Sequence, residues 1–256
     1  MDDNLRVRGR SLVVCPTSAP RSTVGGWLAL DGLGVGSFEY GRLSENVVSA
    51  SVVLPGGECR EVPGEGLRTS VEPDVGGGIL VGARLRTRHS VGDLPFGFTF
   101  RDSKDLVEAV AGIVRSGAPL WHLAFLNPEM ALSRGFGDRH MLFGAYPGVR
   151  AAAIEEALRG VRAVGRGRLL PPADAYRIWG ERFFPVAPSH PTPKPLSREF
   201  VSVSELQELL DGAGARPDHI AVQGTVARFG EVLLLAFDTR KDDWKRRKGT
   251  DWYVKG

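Results

Sequence analysis

The sequence predicts an α+β protein built from two units, and two observations carry that reading. Residues 23–58 join a glycine-dense stretch to a hairpin of β-branched residues that turns at Gly56-Gly57. From Leu94 onward the pattern changes to strands alternating with amphipathic helices in the order βαββαβ, the order of an antiparallel ferredoxin-like sheet with helices on one face. The division falls near residue 90, giving a first unit over 1–90 and a second over 91–256.

Taken in order, residues 12–15 can form a short strand ahead of Pro16, and the glycine-dense stretch shows neither helical nor strand periodicity at its centre. Residues 47–54 and 59–62 are the arms of the hairpin, 64–74 read as loop, and 79–88 alternate as a strand. In the second unit, 96–100 is a strand. Asp102 or Ser103 can cap a helix whose apolar residues Leu106, Val107, Val110, Ile113 and Val114 share one face, with Gly117 as its stop. Strands over 120–126 and 141–146, a helix over 149–158 and a strand over 161–170 complete the βαββαβ order. A short helix over 176–183 leads to a stiff connector, 185–195, with prolines at every second or third position. Beyond it come a strand over 199–203, a helix over 205–210 capped by Ser204 and stopped by Gly212, and a hairpin of 220–227 with 231–237.

Composition removes several function classes. A chain of 256 residues with 42% apolar residues can bury one large or two modest cores. Its apolar runs fall short of the roughly 20 residues needed to cross a bilayer, and Met-Asp-Asp-Asn lacks the features of a signal peptide, so a cytoplasmic protein is expected. Cys15 and Cys59 are too few for a disulfide framework or a cysteine-built metal site. The net charge of +3 is spread along the chain, and the basic, aromatic run at 241–248 is interrupted by carboxylates, so it reads as a solvated end and not a nucleic-acid site. Few amides (Asn4, Asn46, Asn127, Gln207 and Gln223) beside abundant Arg and Pro give the chain a thermophile-like composition.

Thr23-Val24-Gly25-Gly26, the glycines at 32, 34 and 36, Tyr40-Gly41, and Val52-Val53-Leu54-Pro55-Gly56-Gly57 occur in one order and spacing. In these residues the chain resembles the second half of the PCMH-type FAD-binding domain of the FAD-linked oxidases, the family of glycolate oxidase subunits, D-lactate dehydrogenases, vanillyl-alcohol oxidase and cytokinin dehydrogenase. A further family element, Glu-Gly-Thr-Leu-Gly-Ile-Ile, has a looser counterpart in Asp74-Val75-Gly76-Gly77-Gly78-Ile79-Leu80-Val81, where Asp replaces Glu and extra glycines replace Thr-Leu. The resemblance implies FAD as cofactor, with Thr23, Gly25 and Gly26 against the flavin and pyrophosphate. Gly32, Gly34, Gly36 and Ser37 would continue that wall, Gly78 and Ile79 would meet the nucleotide end, and Thr17 and Ser18 would lie at the flavin ring. Glycine suits such positions because backbone N–H groups can approach a ligand with no Cβ in the way. Tyr40, with Gly41, either faces the cofactor or packs in the core of the unit.

The family's Arg-Gly-Gly-Gly-Thr-Ser pyrophosphate loop has no counterpart upstream of Thr23, where 6–10 hold only Gly9. The resemblance is therefore to the carboxyl-terminal part of a flavoenzyme, with the FAD site completed by a partner chain or a second copy. The second unit would be the cap over the isoalloxazine. Where many hydroxy-acid oxidising members carry His-Gly-Asp-Gly-Asn-x-His, this chain reads Val222-Gln223-Gly224-Thr225-Val226, without the histidines or the acid, so a metal there is not expected. Of His89, His122, His140, His190 and His219, His140 beside Arg139 and Asp138 stands at a possible site edge, His122 reads as a structural histidine within an apolar strand, and none is assigned as the catalytic base. Two functions remain open: an FAD-binding subunit or portion of an FAD-linked oxidase or dehydrogenase of a small hydroxylated compound, or a flavin-independent binding or assembly protein that keeps the fold.

Overall fold

The structure is a computed structural model that describes residues 2–19, 22–67, 77–90, 92–164, 166–183, 195–215 and 220–240. The proline-rich connector up to 194, the run at 241–248, His190, His219 and all of 68–76, including Asp74, Val75 and Gly76, fall outside the described residues.

The first unit opens with α1 (Asp2–Arg6) and β1 (Arg10–Leu12), and its glycine-dense stretch contains two helices that periodicity did not announce. The first, α2 (Val24–Leu30), starts because the Thr23 side chain accepts from the Gly26 N–H, and it stops at Asp31, which takes a left-handed conformation at φ 40°. The second, α3 (Ser37–Tyr40), runs between Gly36 at φ 97° and Gly41 at φ 73°. Short helices with glycine inside carry too few apolar repeats to show a period, which is why local capping and packing decide them.

The hairpin forms as expected from β2 (Val47–Val53) and β3 (Cys59–Pro63), and β4 (Ile79–Leu85) adds to it in the order β3-β2-β4. Gly57 supplies the positive φ, 84°, of the turn. A separate ladder pairs β1 with β5 (Thr87–His89).

The second unit is one seven-stranded antiparallel sheet in the order β10-β12-β11-β7-β8-β6-β9. Its members are β6 (Asp93–Phe100), β7 (His122–Leu126), β8 (His140–Pro147), β9 (Arg168–Leu169), β10 (Ser197–Ser202), β11 (Ile220–Val226) and β12 (Glu231–Asp238). The run β7-β8-β6-β9 has the ferredoxin-like order anticipated for the cap, and β11, β12 and β10 enlarge it past β7.

One face of the sheet is covered by α4 (Ser103–Ser116), α6 (Ala151–Val164) and α8 (Leu206–Ala215), through Leu106, Val110, Ile113, Ile154 and Leu206 packed on Phe96, Phe98, Phe125 and Leu142. Each fully buried ring of this kind contributes about 1.5–3 kcal/mol relative to exposure. The start of α4 is as read, with Asp102 accepting from the Asp105 N–H, and Gly117 closes it at φ 62°.

Three boundaries differ. The strand expected over 161–170 shrinks to β9, because α6 continues to Val164. Gly212 does not stop its helix, which runs on to Ala215, and the cap there is Ser202, paired with Glu205 in a reciprocal capping box. The helix expected over 176–183 forms earlier, as α7 (Pro172–Gly180), with a proline in its first turn. A further helix, α5 (Pro128–Ser133), went unread although Asn127 before Pro128 is a start signal. Asn127 Oδ1 accepts from Met130 N at 2.9 Å and from Val222 N at 2.8 Å, so one cap also ties α5 to β11.

The other face of the sheet is shared. Met130 and Ile178, from α5 and α7, pack on Leu126, Met141 and Phe143, and the first unit covers the rest. The joint is Trp121, 1% exposed, whose Nε1–H donates to the Val13 carbonyl at 2.9 Å. The Arg88 guanidinium lies 3.5 Å over its ring and also pairs with Asp93.

Two substitutions read these contacts. Trp121→Phe leaves the Val13 carbonyl buried without a donor and is expected to cost about 1–3 kcal/mol; an unchanged urea midpoint would refute this account of the joint. A Cβ on Gly224 would lie 2.1 Å from the Phe125 ring. Gly224→Ala is therefore expected to lower the midpoint by an overpacking cost of about 1–3 kcal/mol, and restoring it with a smaller residue at 125 is the control.

Candidate functional site

The residues singled out by sequence fall into two patches. In the first, Ala19 N donates to the Pro16 carbonyl, so Thr17 and Ser18 sit in a tight turn, and the Ser18 hydroxyl meets that of Ser22 at 2.6 Å. That contact sets Ser18 beside the start of α2, where Thr23, Gly25 and Gly26 form the first turn. Leu80 of β4 lies against Gly25, with 3.7 Å available to a Cβ there, so Gly78 and Ile79 come to the same neighbourhood at the head of β4. Beside this patch an apolar groove of about 390 Å³ runs between α2 and β4, lined by Leu12, Val24, Leu28, Leu80 and Leu85 among others.

The second group is turned inward. Cys15 and Val35 form a bridge with N–H···O distances of 2.9 and 2.7 Å, and a Cβ on Gly34 would stand 2.1 Å from the Cys15 carbonyl oxygen. A Cβ on Gly36 would meet the Val13 carbonyl at 2.0 Å and Trp121 Nε1 at 2.5 Å. The Ser37 hydroxyl is buried and accepts from Gly34 N at 2.9 Å. Close approach does explain these glycines, but the groups approached are this chain's own carbonyls and indole. Gly32 faces the Arg198 guanidinium, 3.0 Å from a built Cβ, and Gly41 turns beside the Glu45 carboxylate.

Tyr40 takes the core alternative. It packs with the hydrophobic cluster around Trp27 and Trp121, and its carbonyl accepts from Asn46 Nδ2 at 2.8 Å. Burial and the adjacent Glu39 carboxylate push its phenol up, against the pull of Arg88 and Arg150.

Between the glycine loop and the sheet lies a set of polar residues that sequence reasoning did not gather. Leu33 packs on Ala227 and Leu233, which puts the loop on the face of the sheet opposite the three helices. On that face β7 carries His122, and β11 carries Gln223 and Thr225, 1%, 3% and 3% exposed. The register sets Thr225 opposite Ala124 and Gln223 opposite Leu126. His122 and Thr225 are thus diagonal neighbours, about 7–8 Å apart.

Burial, with Arg182 nearby, drives the His122 imidazole down to about 3, so it is neutral. Its ring lies between Trp179 and Phe143, and its Nδ1 is buried without a hydrogen-bond partner. Gln223 and Thr225 are buried on the same face. Unpaired polar groups in a dry interior carry a penalty that a ligand can relieve. The signal in the sequence is a polar residue at every second position of otherwise apolar strands, Gln223 and Thr225 flanked by Val222 and Val226.

His140, anticipated as a site edge, is elsewhere. It lies two positions before Leu142 on the helix-covered face, where burial lowers its pKa against the raising influence of Asp102 and Asp211. His89 is exposed on β5, paired with Arg10. Among the described residues no three of His, Cys, Asp and Glu gather as metal ligands, and no helix is long and apolar enough to cross a membrane.

Comparison with known proteins agrees on the cofactor. Residues 1–63 match the family model described as FAD binding domain. No curated protein matches the chain by sequence. Two solved structures of alkyldihydroxyacetonephosphate synthase, in space groups P1 and P212121, are similar in fold over 93% of this chain, with TM-scores of 0.64 and 0.68 and 19% identity in each case. The chain spans 56% and 53% of the length of those structures, and at that identity the likeness is one of fold. Over its first 63 residues the chain is thus similar to an FAD binding domain, which supports FAD as the cofactor.

Proposed function

We propose that this chain is the flavin-facing portion of an FAD-linked oxidoreductase that acts on a small hydroxylated donor, with the rest of the FAD site supplied by polypeptide outside these residues, a partner chain or another copy. In this reading 1–90 is the second half of the FAD-binding domain and 91–256 is the cap. The observation that carries it is the match of residues 1–63 to an FAD binding domain, with the unpartnered His122 Nδ1 on the sheet face where the glycine loop packs in support.

Thr17, Ser18, Thr23, Gly25, Gly26, Gly78 and Ile79 would meet the cofactor from one side, and Gly32 from the end of the loop nearest β10. Gly34, Gly36, Ser37, Tyr40 and Gly41 would support that wall, since their own contacts are internal. The groove beside α2 and β4, all but free of polar side chains, suits packing by further polypeptide.

FAD, when bound, supplies a two-electron acceptor. The chain's own part is to place the donor. The Gln223 amide and the Thr225 hydroxyl can orient a hydroxyl group. His122, held neutral with a pKa of about 3, is too weak a base to take the donor's proton and adds a neutral hydrogen-bonding group. Leu33, Leu233 and Phe143 exclude water around them.

A second reading, a flavin-independent binding or assembly protein, has one observation in its favour: the closest approaches at Gly34 and Gly36 are used up internally.

Two measurements test the proposal. Purified protein incubated with FAD and desalted should keep a flavin absorption spectrum, alone or together with the polypeptide that completes the site; colourless protein in both states would leave the second reading. The neutral imidazole is read by stability against pH. The unfolded chain takes up a proton at His122 near 6.5 and the folded one only near 3, so His122 costs nothing above 6.5 and stability is lost as pH falls between those values. His122→Phe should flatten that part of the urea-midpoint profile, and an unaltered profile would show that His122 is not held neutral.

A further inference from the structure

On the helix-covered face of the seven-stranded sheet, a groove of about 580 Å³ remains between α8 and the β10 edge. Its floor is apolar, with Val201, Leu209, Ile220, Leu234 and Ala236, and its rim carries Glu199, Glu205 and Glu208. Strand pairing decides which side chains face it. Ser197, Glu199 and Val201 stand opposite Ala236, Leu234 and Val232, while Arg198 and Phe200 point to the other face, toward the Leu30 carbonyl and Arg42. Among the described residues no lysine or arginine lines the groove or pairs with its three glutamates. Glu205 accepts from Ser202 N at 2.7 Å and Oγ at 2.6 Å and keeps its charge.

An apolar floor under an unanswered acidic rim fits a segment that is both aromatic and basic, and this chain carries one. Residues 241–256, whose basic run reads as solvated when taken alone, hold six Lys or Arg against three Asp, with Trp244, Trp252, Tyr253 and Val254 among them. The segment also begins at the groove. Asp238, the last residue of β12, stands opposite Ile220 and shares the face of Ala236 and Leu234, and the Arg240 guanidinium turns back onto its carboxylate at 2.9 Å. At up to about 3.3–3.6 Å per residue, 241–256 can run the length of β10 and beyond. We propose that residues 241–256 dock in this groove, with their rings on its floor and their Lys and Arg side chains on Glu199, Glu205 and Glu208. The rings supply the apolar contact and the rim pairs the orientation.

The test is zero-length carbodiimide cross-linking of the full chain, isotope-labelled chain being mixed with unlabelled and the products mapped by mass spectrometry. Links within one chain from a lysine of 241–255 to Glu199, Glu205 or Glu208 are expected. Glu199 and Glu208 are exposed, so the double variant Glu199→Lys, Glu208→Lys should keep its fold, with circular dichroism as the check, and should lose the links to Glu205 too. Trypsin should cut the variant at 245–248 roughly tenfold faster than the unaltered chain, because cleavage tracks the open population. Lysine links confined to carboxylates outside the groove, links only between chains of different mass, or equal cutting of the two proteins overturns the proposal.

Discussion

The hydrogen bond from the Trp121 indole to the Val13 carbonyl, 2.9 Å long and buried, joins the head of β7 to the segment after β1, and the glycine-rich region is shaped around it. Gly36 is the clearest case. Any Cβ there would overlap both members of the bond, and its positive φ turns the chain into α3. From α3 the Glu39 N–H returns to the Trp121 carbonyl at 3.3 Å, and Trp121 N donates to Ala145 of β8 at 2.9 Å. One residue thus fixes the loop, the first short helix after it and two strands of the larger sheet. The Arg88 guanidinium completes the site by covering the ring while its charge is answered by Asp93.

The remaining links between the units are of lesser energy. The pairs Arg42 with Glu231 and Arg228 with Glu45 are partly exposed, and such pairs contribute about 0–1 kcal/mol each. Their effect is orientation more than stability, because water screens pairs that are this exposed. Between the glycine loop and the sheet the protein offers an amide, a hydroxyl and a neutral imidazole, held in a dry setting where hydrogen bonds are strong and unpaired charges are penalised.

Much of the fold was legible from residue pattern. The hairpin turning at Gly57, the helix between Asp102 and Gly117, the strands of the ferredoxin-like order and the closing hairpin all follow from periodicity and local capping, which act between residues close in sequence. The misread elements are those where periodicity is weak: α2 and α3 are short and glycine-bearing, and β9 is two residues long. The family resemblance was legible too, because a glycine string with a following hairpin is a local pattern, and residues 1–63 carry it.

The candidate site was legible only in part. Glycine density announced close approach, but close approach has no direction in a sequence. Only the tertiary structure decided that Gly34 and Gly36 admit this chain's own Cys15 and Val13 carbonyls, that Tyr40 lies in a core, and that His140 and His122 stand on opposite faces of one sheet. Gln223 and His122 are a hundred residues apart in the chain and come together through the pairing of β11 with β7. The sequence by itself determined which segments bend, which alternate and which cofactor-binding domain the first 63 residues resemble, since those are properties of neighbouring residues. The tertiary structure determined which polar groups are left without partners on which face, because that depends on strand order and register, and no local signal carries either.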